Sequence, residues 1–347
     1  MSQSFAPLEL MIHEALATAK MAGIAIGIVQ ENAIAYSKGF GVRSIATGEL
    51  VTAESLFHMA SVSKPFSATA IMQLVEQGKL TLDDRVCDHL PYFQLADERH
   101  HAITIRQMLT HTSGMPDTED YAWDKPETDE EALERYVRSL AHEQLLSTPG
   151  EAFAYSNIAY EVLGDLIAKV SEMSFEQYMK SQILDPLGMH HSTFLRSEVP
   201  AHLATTPHVG TERAEVSAVY PYNRCHAPSS TLHSNTVDGC RWALANLNEG
   251  QLEGASILSS ASAESLFGRY HATGEGDFIG LSWFHADYRG YPRISHGGGD
   301  TGYASYLALF PREKAAVVVM ANSDWELYDI GPIIDKAMDL ALGIDDK

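Results

Sequence analysis

Short apolar stretches, some with alternating polar residues, lie near both ends of the chain, which is the pattern of β-strands. Residues 24–30 and 33–42 are two such stretches joined by Glu31-Asn32, and together they predict a β-hairpin. Further along, apolar and partly β-branched stretches predict strands at 278–285, 292–296, 303–310 and 315–322. The two chain ends therefore supply the strands of the fold.

The middle of the chain places apolar residues at the three- and four-residue spacing of amphipathic helices. Proline and glycine separate these segments and mark turns. The stretch 196–232 contains four prolines and little periodicity, so we expect a long surface loop or a few irregular short elements there. The predicted helices, including one near each terminus, are 8–22, 63–77, 104–110, 129–141, 158–171, 175–183, 237–249 and 330–342.

These patterns predict an α/β protein of the α+β type. Because strands from both chain ends can pair, we expect one antiparallel sheet flanked by the N- and C-terminal helices, with a mostly helical subdomain inserted beside it. All 347 residues would form a single catalytic unit, with 1–60 and 265–347 as the sheet subdomain and 61–264 as the helical one. A cleft between the two parts is the expected ligand site.

The composition excludes several classes of protein. A net charge of −22, from 24 basic and 46 acidic residues, disfavours binding to nucleic acid or to an anionic membrane surface. Residues 1–22 lack the basic start and unbroken apolar core of a signal peptide, and no apolar run is long enough to span a bilayer. Three scattered cysteines predict neither a disulfide framework nor a zinc site. A cytoplasmic location is the resulting prediction.

Two patterns suggest chemistry that their context does not support. Residues 297–302 match the glycine pattern of dinucleotide-binding loops, yet they lead into a predicted strand, whereas such a loop opens a helix. The sixteen histidines contain no His-Glu-x-x-His motif and no cluster at the spacing of helical metal ligands. We therefore predict neither a nucleotide site nor a metal site.

The segment Ser61-Val62-Ser63-Lys64 places a hydroxyl and an amine one turn apart where a helix begins. Pro65 fits the first turn, so Ser61 would lie at the N-cap or first position, with the positive end of the helix dipole at its hydroxyl. A buried ammonium loses its proton more easily, so Lys64 could act as the base for Ser61. The alternative, favoured by the motif alone, is an ordinary N-cap serine and a solvated lysine.

Two further segments could contribute to the same chemistry. In residues 155–157, the phenol of Tyr155 could pass a proton between a serine and a leaving group, and Asn157 could bond a substrate amide. Their structural alternatives are loop packing and a helix N-cap. In the Ser-His-Gly-Gly-Gly segment 295–299, a free N–H could pair with that of Ser61 to hold an oxyanion, and the alternative is a glycine-rich turn.

Taken together and in this order, Ser-x-x-Lys, Tyr-x-Asn and His-Gly-Gly resemble the serine β-lactamase and penicillin-binding-protein family. The likeness is greatest to the class C enzymes and their esterase and D-amino-acid peptidase relatives. The flanking sequence agrees in GKLTLDDRV (78–86), ITIRQMLTHTSGMP (103–116), STPGEAFAYSNIAYEVLGDLI (147–167), ILDPLGMHHSTF (183–194) and ISHGGGDTGYASYLALFP (294–311). The resemblance covers almost the whole chain.

The resemblance implies acyl transfer to a serine followed by hydrolysis, with no metal and no cofactor. It also implies a role for each motif residue. The corresponding residues here are the nucleophile Ser61, its base Lys64, the proton shuttle Tyr155, the substrate-binding residues Asn157, His296 and Gly298, and the oxyanion-hole N–H groups of Ser61 and Gly299. His296 stands where many members carry the lysine of a Lys-Thr-Gly motif.

Two departures from the family bear on the substrate. Gly297 replaces the threonine that helps to grip a substrate carboxylate in the β-lactam-processing members, and His296 is expected to be a weaker, pH-dependent cation. We therefore predict a serine hydrolase for small esters or for D-residue amides and peptides. The alternatives are a true β-lactamase or DD-peptidase on the same site, and a non-catalytic binding module that keeps the fold.

The substrate pocket is expected to depend on the loops near 116–128 and 196–232. Aromatic residues are candidates for its walls, with packing in the core as an equal alternative. These candidates are Tyr121, Trp123, Trp283 and Tyr303. The expected partner is a small-molecule or short-peptide substrate, and the sequence leaves the oligomeric state open.

Overall fold

An eight-stranded antiparallel sheet forms the centre of the computed structural model, which describes residues 4–118, 120–274 and 276–344. The strands in chain order are β1 (Gly23–Gln30), β2 (Ala33–Gly41), β3 (Phe57–His58), β4 (His208–Val209), β5 (Glu215–Val216), β6 (His233–Ser234), β7 (Gln251–Leu252), β8 (Ala255–Ser256), β9 (His271–Gly274), β10 (Asp277–Ile279), β11 (Phe284–Tyr288), β12 (Tyr291–Asp300), β13 (Tyr303–Phe310) and β14 (Ala315–Ala321). The order across the sheet is β2-β1-β14-β13-β12-β11-β10-β9, and β3-β6, β4-β5 and β7-β8 form short separate pairs.

The pairing of β1 with β14 joins the two ends of the chain. Ile26 lies opposite Val319 in this pair, and neighbouring residues point to opposite faces of the sheet. Ile24, Ile26 and Ile28 belong to the core under the terminal helices, whereas Ala25 belongs to the core under the rest of the protein. Both faces are covered, which explains why these strands are apolar throughout. The predicted sheet built from both chain ends is confirmed.

Helices lie against both faces of the sheet. Helices α1 and α10 cover one face, while α8 packs on the other and is contacted by α2. Phe66 of α2 stacks on Trp242 of α8 with ring centroids 3.8 Å apart, a contact worth ~1 kcal/mol beyond its burial. The helices are α1 (Ala6–Ala17), α2 (Lys64–Glu76), α3 (Val86–His89), α4 (Ile105–Leu109), α5 (Ala132–Ser139), α6 (Asn157–Ser171), α7 (Phe175–Met179), α8 (Thr236–Leu247), α9 (Ser260–Leu266) and α10 (Gly331–Leu342).

The prediction of one strand at 278–285 was wrong. These residues include the end of β10, a tight turn and the start of β11. The Gly280 N–H donates to the Trp283 carbonyl at 2.6 Å, and Ser282 has a φ of +78° in this turn. The glycines at 297–299, by contrast, lie inside β12 and pair with β13. The alternative of a glycine-rich turn between strands is therefore excluded.

A 3-10 turn, Ala60–Ser63, leads into α2, so Ser61 lies before the helix and Ser63 is the N-cap. The prediction that Ser61 is itself the N-cap or first helical residue was therefore wrong. Ala60 has a φ of +47°, a conformation that is unfavourable for a residue with a side chain. The turn therefore holds Ser61 in a fixed and strained stretch of backbone.

The segment 196–232 contains only short elements, namely the 3-10 turns Arg196–Glu198 and Arg224–His226 and the pair β4-β5. Its prolines explain the lack of longer helices or strands. The division into subdomains at 60/61 and 264/265 stays a prediction. None of the helices in the described ranges is both long and apolar enough to cross a membrane.

Candidate active site

Ser61 and Lys64 lie side by side where the 3-10 turn meets α2. Lys64 Nζ is 2.9 Å from Ser61 Oγ. Lys64 is fully buried, whereas Ser61 is half-buried, so of the two residues only Ser61 can be reached from solvent. The amine also donates to Asn157 Oδ1 at 2.5 Å and to the Ser229 carbonyl at 3.0 Å. With these two acceptors satisfied, a neutral amine keeps its lone pair for the Ser61 hydroxyl.

Burial lowers the pKa of Lys64 to about 8, because desolvation penalises the ammonium form. The negative charges of Glu161, Asp300 and Asp117 oppose this effect. The amine is therefore partly neutral near pH 7, which is what a proton acceptor requires.

The Tyr155 ring lies against the same pair. Lys64 Nζ is 5.0 Å from its ring centroid, and the Ser61 side chain lies close enough to lower the pKa of the phenol, against the effect of burial. Burial raises the pKa of Tyr155 well above its usual value, so the phenol is protonated at neutral pH and can donate. The structure therefore brings Tyr155 together with Ser61 and Lys64, although it comes from a distant part of the chain.

His111 holds the segment that carries Tyr155, and sequence reasoning missed this residue. Its carbonyl accepts from the Ala154 N–H at 2.8 Å, its Nδ1 accepts from the Ser156 N–H at 3.1 Å, and its ring stacks on Tyr155 with centroids 4.3 Å apart. Burial, reinforced by the Lys64 charge, keeps the pKa of His111 well below its usual value, so the ring is neutral and Nδ1 can accept. His111 lies in a stretch that resembles the family, but no pattern marked its contacts.

Asn157 is the first residue of α6, and Ser156 is its N-cap. The Asn157 Nδ2 donates to Asp117 Oδ1 at 3.0 Å and to the Tyr121 hydroxyl at 2.6 Å, while its Oδ1 accepts from Lys64. The Asn157 side chain is thus engaged with protein partners on both its oxygen and its nitrogen. Asp117 was also missed from the sequence, where it follows a proline in an otherwise featureless loop.

Strand β12 passes very close to the Ser61 turn. A Cβ at Gly298 would lie 2.4 Å from the Met59 carbonyl oxygen and 3.0 Å from Ser61 N, so a side chain there would displace the backbone. A Cβ at Gly297 would meet nothing closer than 3.6 Å. Gly299 follows in the strand, one residue beyond the closest approach. Glycine at 298 therefore sets how closely the strand and the turn can pack.

His296 precedes these glycines and is not a cation. Burial, and secondarily the Lys64 charge, lowers the pKa of His296 to about 3. Its Nδ1 lies 2.7 Å from the Gly297 carbonyl, and its buried Nε2 has no partner among the described residues. The expectation of a pH-dependent cation at this position was wrong, because the buried ring stays neutral at physiological pH.

A second buried polar network lies beside the Ser61 turn, and we call it the Asp300 network. His58 Nε2 is 2.7 Å from Asp300 Oδ2, and the Ser230 hydroxyl donates to the same carboxylate oxygen. His58 and Ser230 are both buried. Sequence reasoning did not single out this network, since its members are far apart in the chain.

The four aromatic residues predicted as candidates for the pocket walls lie in two different environments. Tyr121 bonds Asn157, and Trp123 stacks on Tyr121 with centroids 4.8 Å apart. Trp283 and Tyr303 are fully buried in the core, so their alternative of core packing is correct. Among the described residues, no group of three or more His, Cys, Asp or Glu side chains could hold a metal ion.

Residues 8–328 match the family model described as Beta-lactamase. The chain belongs to the beta-lactamase family. Membership of this family agrees with the order of the three motifs and supports a serine-hydrolase type of function. The resemblance stated from the sequence is thereby confirmed.

Two curated relatives are similar to much of the chain. Penicillin-binding protein 4 of Amycolatopsis lactamdurans is 31% identical over 296 residues, which are 81% of this chain and 76% of the relative. Protein flp of Staphylococcus aureus (strain MW2) is 26% identical over 324 residues, which are 92% of this chain and 63% of the relative. The chain thus spans less than two thirds of the length of Protein flp.

Solved structures show the same fold. The octameric penicillin-binding protein homologue from Pyrococcus abyssi has a TM-score of 0.86 at 28% identity and covers 98% of this chain and 78% of its own. The penicillin-binding protein from Bacillus halodurans has a TM-score of 0.76 at 23% identity, with coverage of 93% and 98%. These neighbours confirm the predicted arrangement of sheet and helices.

Proposed function

We propose that the protein is a serine hydrolase that works through an acyl-enzyme on Ser61. The observation that carries this proposal is the contact between a half-buried hydroxyl and a fully buried amine, 2.9 Å apart. Because the pKa of that amine is lowered to about 8, Lys64 can accept the hydroxyl proton at physiological pH.

The lowered pKa of Lys64 suits it to accept a proton, and the raised pKa of Tyr155 suits it to donate one. In acylation, Ser61 Oγ attacks the substrate carbonyl carbon while its proton passes to the neutral Lys64 amine. When the tetrahedral intermediate collapses, the carbonyl–leaving-group bond breaks and the Tyr155 phenol protonates the leaving group. Lys64 returns its proton to Tyr155, which leaves both groups as they began. His111 acts here as a positioning residue, since it holds the segment on which Tyr155 lies.

Deacylation repeats these transfers with water as the nucleophile. Water attacks the acyl carbon, its proton passes through Tyr155 and Lys64, and Ser61 leaves with that proton as the free hydroxyl. The negative oxygen formed in each half would be held by the N–H groups of Ser61 and Gly299. The closeness of β12 to the Ser61 turn supports this role, because Gly299 directly follows the glycine that approaches Ser61 N.

The charges around the nucleophile favour a substrate without a carboxylate beside the scissile bond. Three carboxylates, Asp117, Glu161 and Asp300, act on the Lys64 charge, and His296 adds no positive charge. We therefore propose small esters, or amides and peptides with D-residues, as the substrate class. The cytoplasmic location and the lack of a metal or cofactor stay predictions.

Labelling and turnover test this proposal directly. The protein is treated with a fluorophosphonate, the modified peptide is located by mass spectrometry, and kcat/KM is measured on a nitrophenyl acetate and on a chromogenic cephalosporin. We expect the label on Ser61 and faster turnover of the ester. A label elsewhere, or no label on a folded protein, contradicts the acyl-enzyme. Turnover of the cephalosporin above that of the ester would show a β-lactamase instead.

A further inference from the structure

Two adjoining hollows lie along the segment 196–232. Their volumes are about 420 and 250 Å³, and both are lined by Arg196, Ala218, Val219 and Tyr220. The larger one also reaches Trp123. We call the combined feature the Arg196 groove.

Arg196 gives this groove a free positive charge. Its guanidinium carbon lies 4.4 Å from the ring centroid of Tyr220, and it forms no ion pair with any described residue. Asp124, at the rim of the groove, is largely exposed and lies 3.8 Å from Lys125. A guanidinium stacked on a ring keeps its N–H edges available, and these edges match the two oxygens of a carboxylate.

Two residues that line the groove contact neighbours of the active site. On one wall, Trp123 stacks on Tyr121, whose hydroxyl accepts from Asn157, the partner of Lys64. Tyr220 also lines the groove, and its ring packs edge-on against His58 with centroids 6.4 Å apart.

His58 in turn contacts Asp300, the residue that follows Gly299 in β12. Tyr121 alone therefore separates Trp123 from Asn157. Two side chains, His58 and Asp300, separate Tyr220 from Gly299.

We propose that the Arg196 groove binds the end of the substrate that is remote from the scissile bond, and that this end carries a carboxylate. The inference rests on the proposed function and narrows its substrate class. Near Ser61 the surrounding carboxylates oppose a negative group, whereas Arg196 favours one farther along the groove. The preferred substrate is thus neutral at the reacting bond and negative at its far end, with flat or apolar parts against the aromatic walls.

A matched series of esters tests the groove. Nitrophenyl monoesters of dicarboxylic acids with four to eight carbons are compared with nitrophenyl esters of monocarboxylic acids of the same length. For the chain length that reaches Arg196, wild type should favour the dicarboxylate through a lower KM, and Arg196→Met should reduce that preference about tenfold or more. Arg196→Lys, which keeps the charge but not the planar fork, should retain part of it.

Arg312→Met is the matched control for the loss of one positive charge. Arg312 is exposed in the turn between β13 and β14, at the far end of β13 from Tyr303, so neither rate should change. If Arg196→Met and Arg312→Met have the same effect on the preference, or if no chain length shows a preference, the groove proposal is overturned.

A binding measurement separates this outcome from failure of the proposed function. Calorimetry on Ser61→Ala with the nitroanilides of the same acids reports the groove without turnover. Tighter binding of the carboxylate-bearing nitroanilide, abolished by adding Arg196→Met, supports the groove even if wild type hydrolyses none of the esters. Equal binding of the charged and neutral nitroanilides contradicts it even if Ser61 is the nucleophile.

Discussion

Two polar networks meet at the Ser61 turn: the first joins Ser61 to Lys64, and the second is the Asp300 network. Each contains a serine and groups able to move protons. In the Asp300 network, Ser230, His58 and Asp300 are the residue types of a hydrolase triad. The Ser230 hydroxyl, however, donates straight to the Asp300 carboxylate, and Ser230 is buried. The hydroxyl of Ser61 instead contacts an amine, and Ser61 is half-buried.

The difference shows that residue types do not identify a nucleophile. Activation requires a base that can take the proton and a route for the substrate to reach the oxygen. Ser230 lacks the route because protein covers it, and its proton is directed to the Asp300 carboxylate although His58 Nε2 lies 3.4 Å away. Ser61 has both, so we assign the chemistry to Ser61 and a structural role to the Asp300 network.

Replacing each of the two serines by alanine is the strongest test of this comparison. Ser61→Ala should lower ester turnover by about 10³-fold or more, because it removes the atom that forms the acyl-enzyme. Ser230→Ala should keep activity within about tenfold of wild type, although it removes a buried hydrogen bond and should lower stability by ~1 kcal/mol. Turnover and fluorophosphonate labelling measure both, with thermal unfolding as the control for folding. Greater loss of activity in Ser230→Ala would reverse the assignment.

Strand β12 connects the two networks, since Gly298 lies against the Ser61 turn and Asp300 lies two residues later. Gly298→Ala would place a Cβ 2.4 Å from the Met59 carbonyl and force the strand away from the turn. We expect it to reduce kcat by about 100-fold through loss of transition-state contacts. Gly297→Ala, whose Cβ meets nothing closer than 3.6 Å, should stay within about threefold.

Steady-state kinetics on the neutral ester measures both glycine variants, with circular dichroism to confirm that they fold. Equal activities for the two would show that the close packing of β12 on the turn does not position the oxyanion site. A loss confined to Gly297→Ala would point to a direct role for the backbone at 297.

The fold was predictable because its largest signals are stretches of apolar residues. Those at 24–30 and 315–322 mark strands that are buried on both faces, and these strands pair as expected. The turn inside 278–285 was missed because Gly280 and Ser282 interrupt an otherwise apolar stretch without a proline or a familiar turn dipeptide.

The site was predictable only where residues form a motif. Ser61, Lys64 and Tyr155 could be singled out from spacing and order, but His111 and Asp117 act through contacts that arise only in three dimensions. The charge of His296 was also misjudged, because its pKa depends on burial that a sequence does not show. Side-chain burial is therefore the main physical quantity that sequence reasoning lacked here.

The smallest expected effect is a shift in the pH dependence of turnover when one negative charge that acts on Lys64 is removed. Since the pKa of Lys64 is lowered to about 8 and the base must be neutral, kcat/KM should rise with pH up to about 8 and then level off. The Glu161 charge has the largest effect in raising the pKa of Lys64, although burial also raises the pKa of Glu161 itself. Glu161→Gln should therefore lower the pKa of Lys64 further and move this limb to lower pH by about one unit.

Asp300→Asn should move the same limb in the same direction but less far, because the Asp300 charge acts more weakly on Lys64 than the Glu161 charge does. The measurement is a pH–rate profile on a neutral ester for wild type and both variants. A limb that stays in place in Glu161→Gln, or that moves to higher pH, would show that it does not report Lys64. A larger shift in Asp300→Asn than in Glu161→Gln would mean that the Asp300 network shapes the reactivity of Ser61 more directly than its geometry indicates.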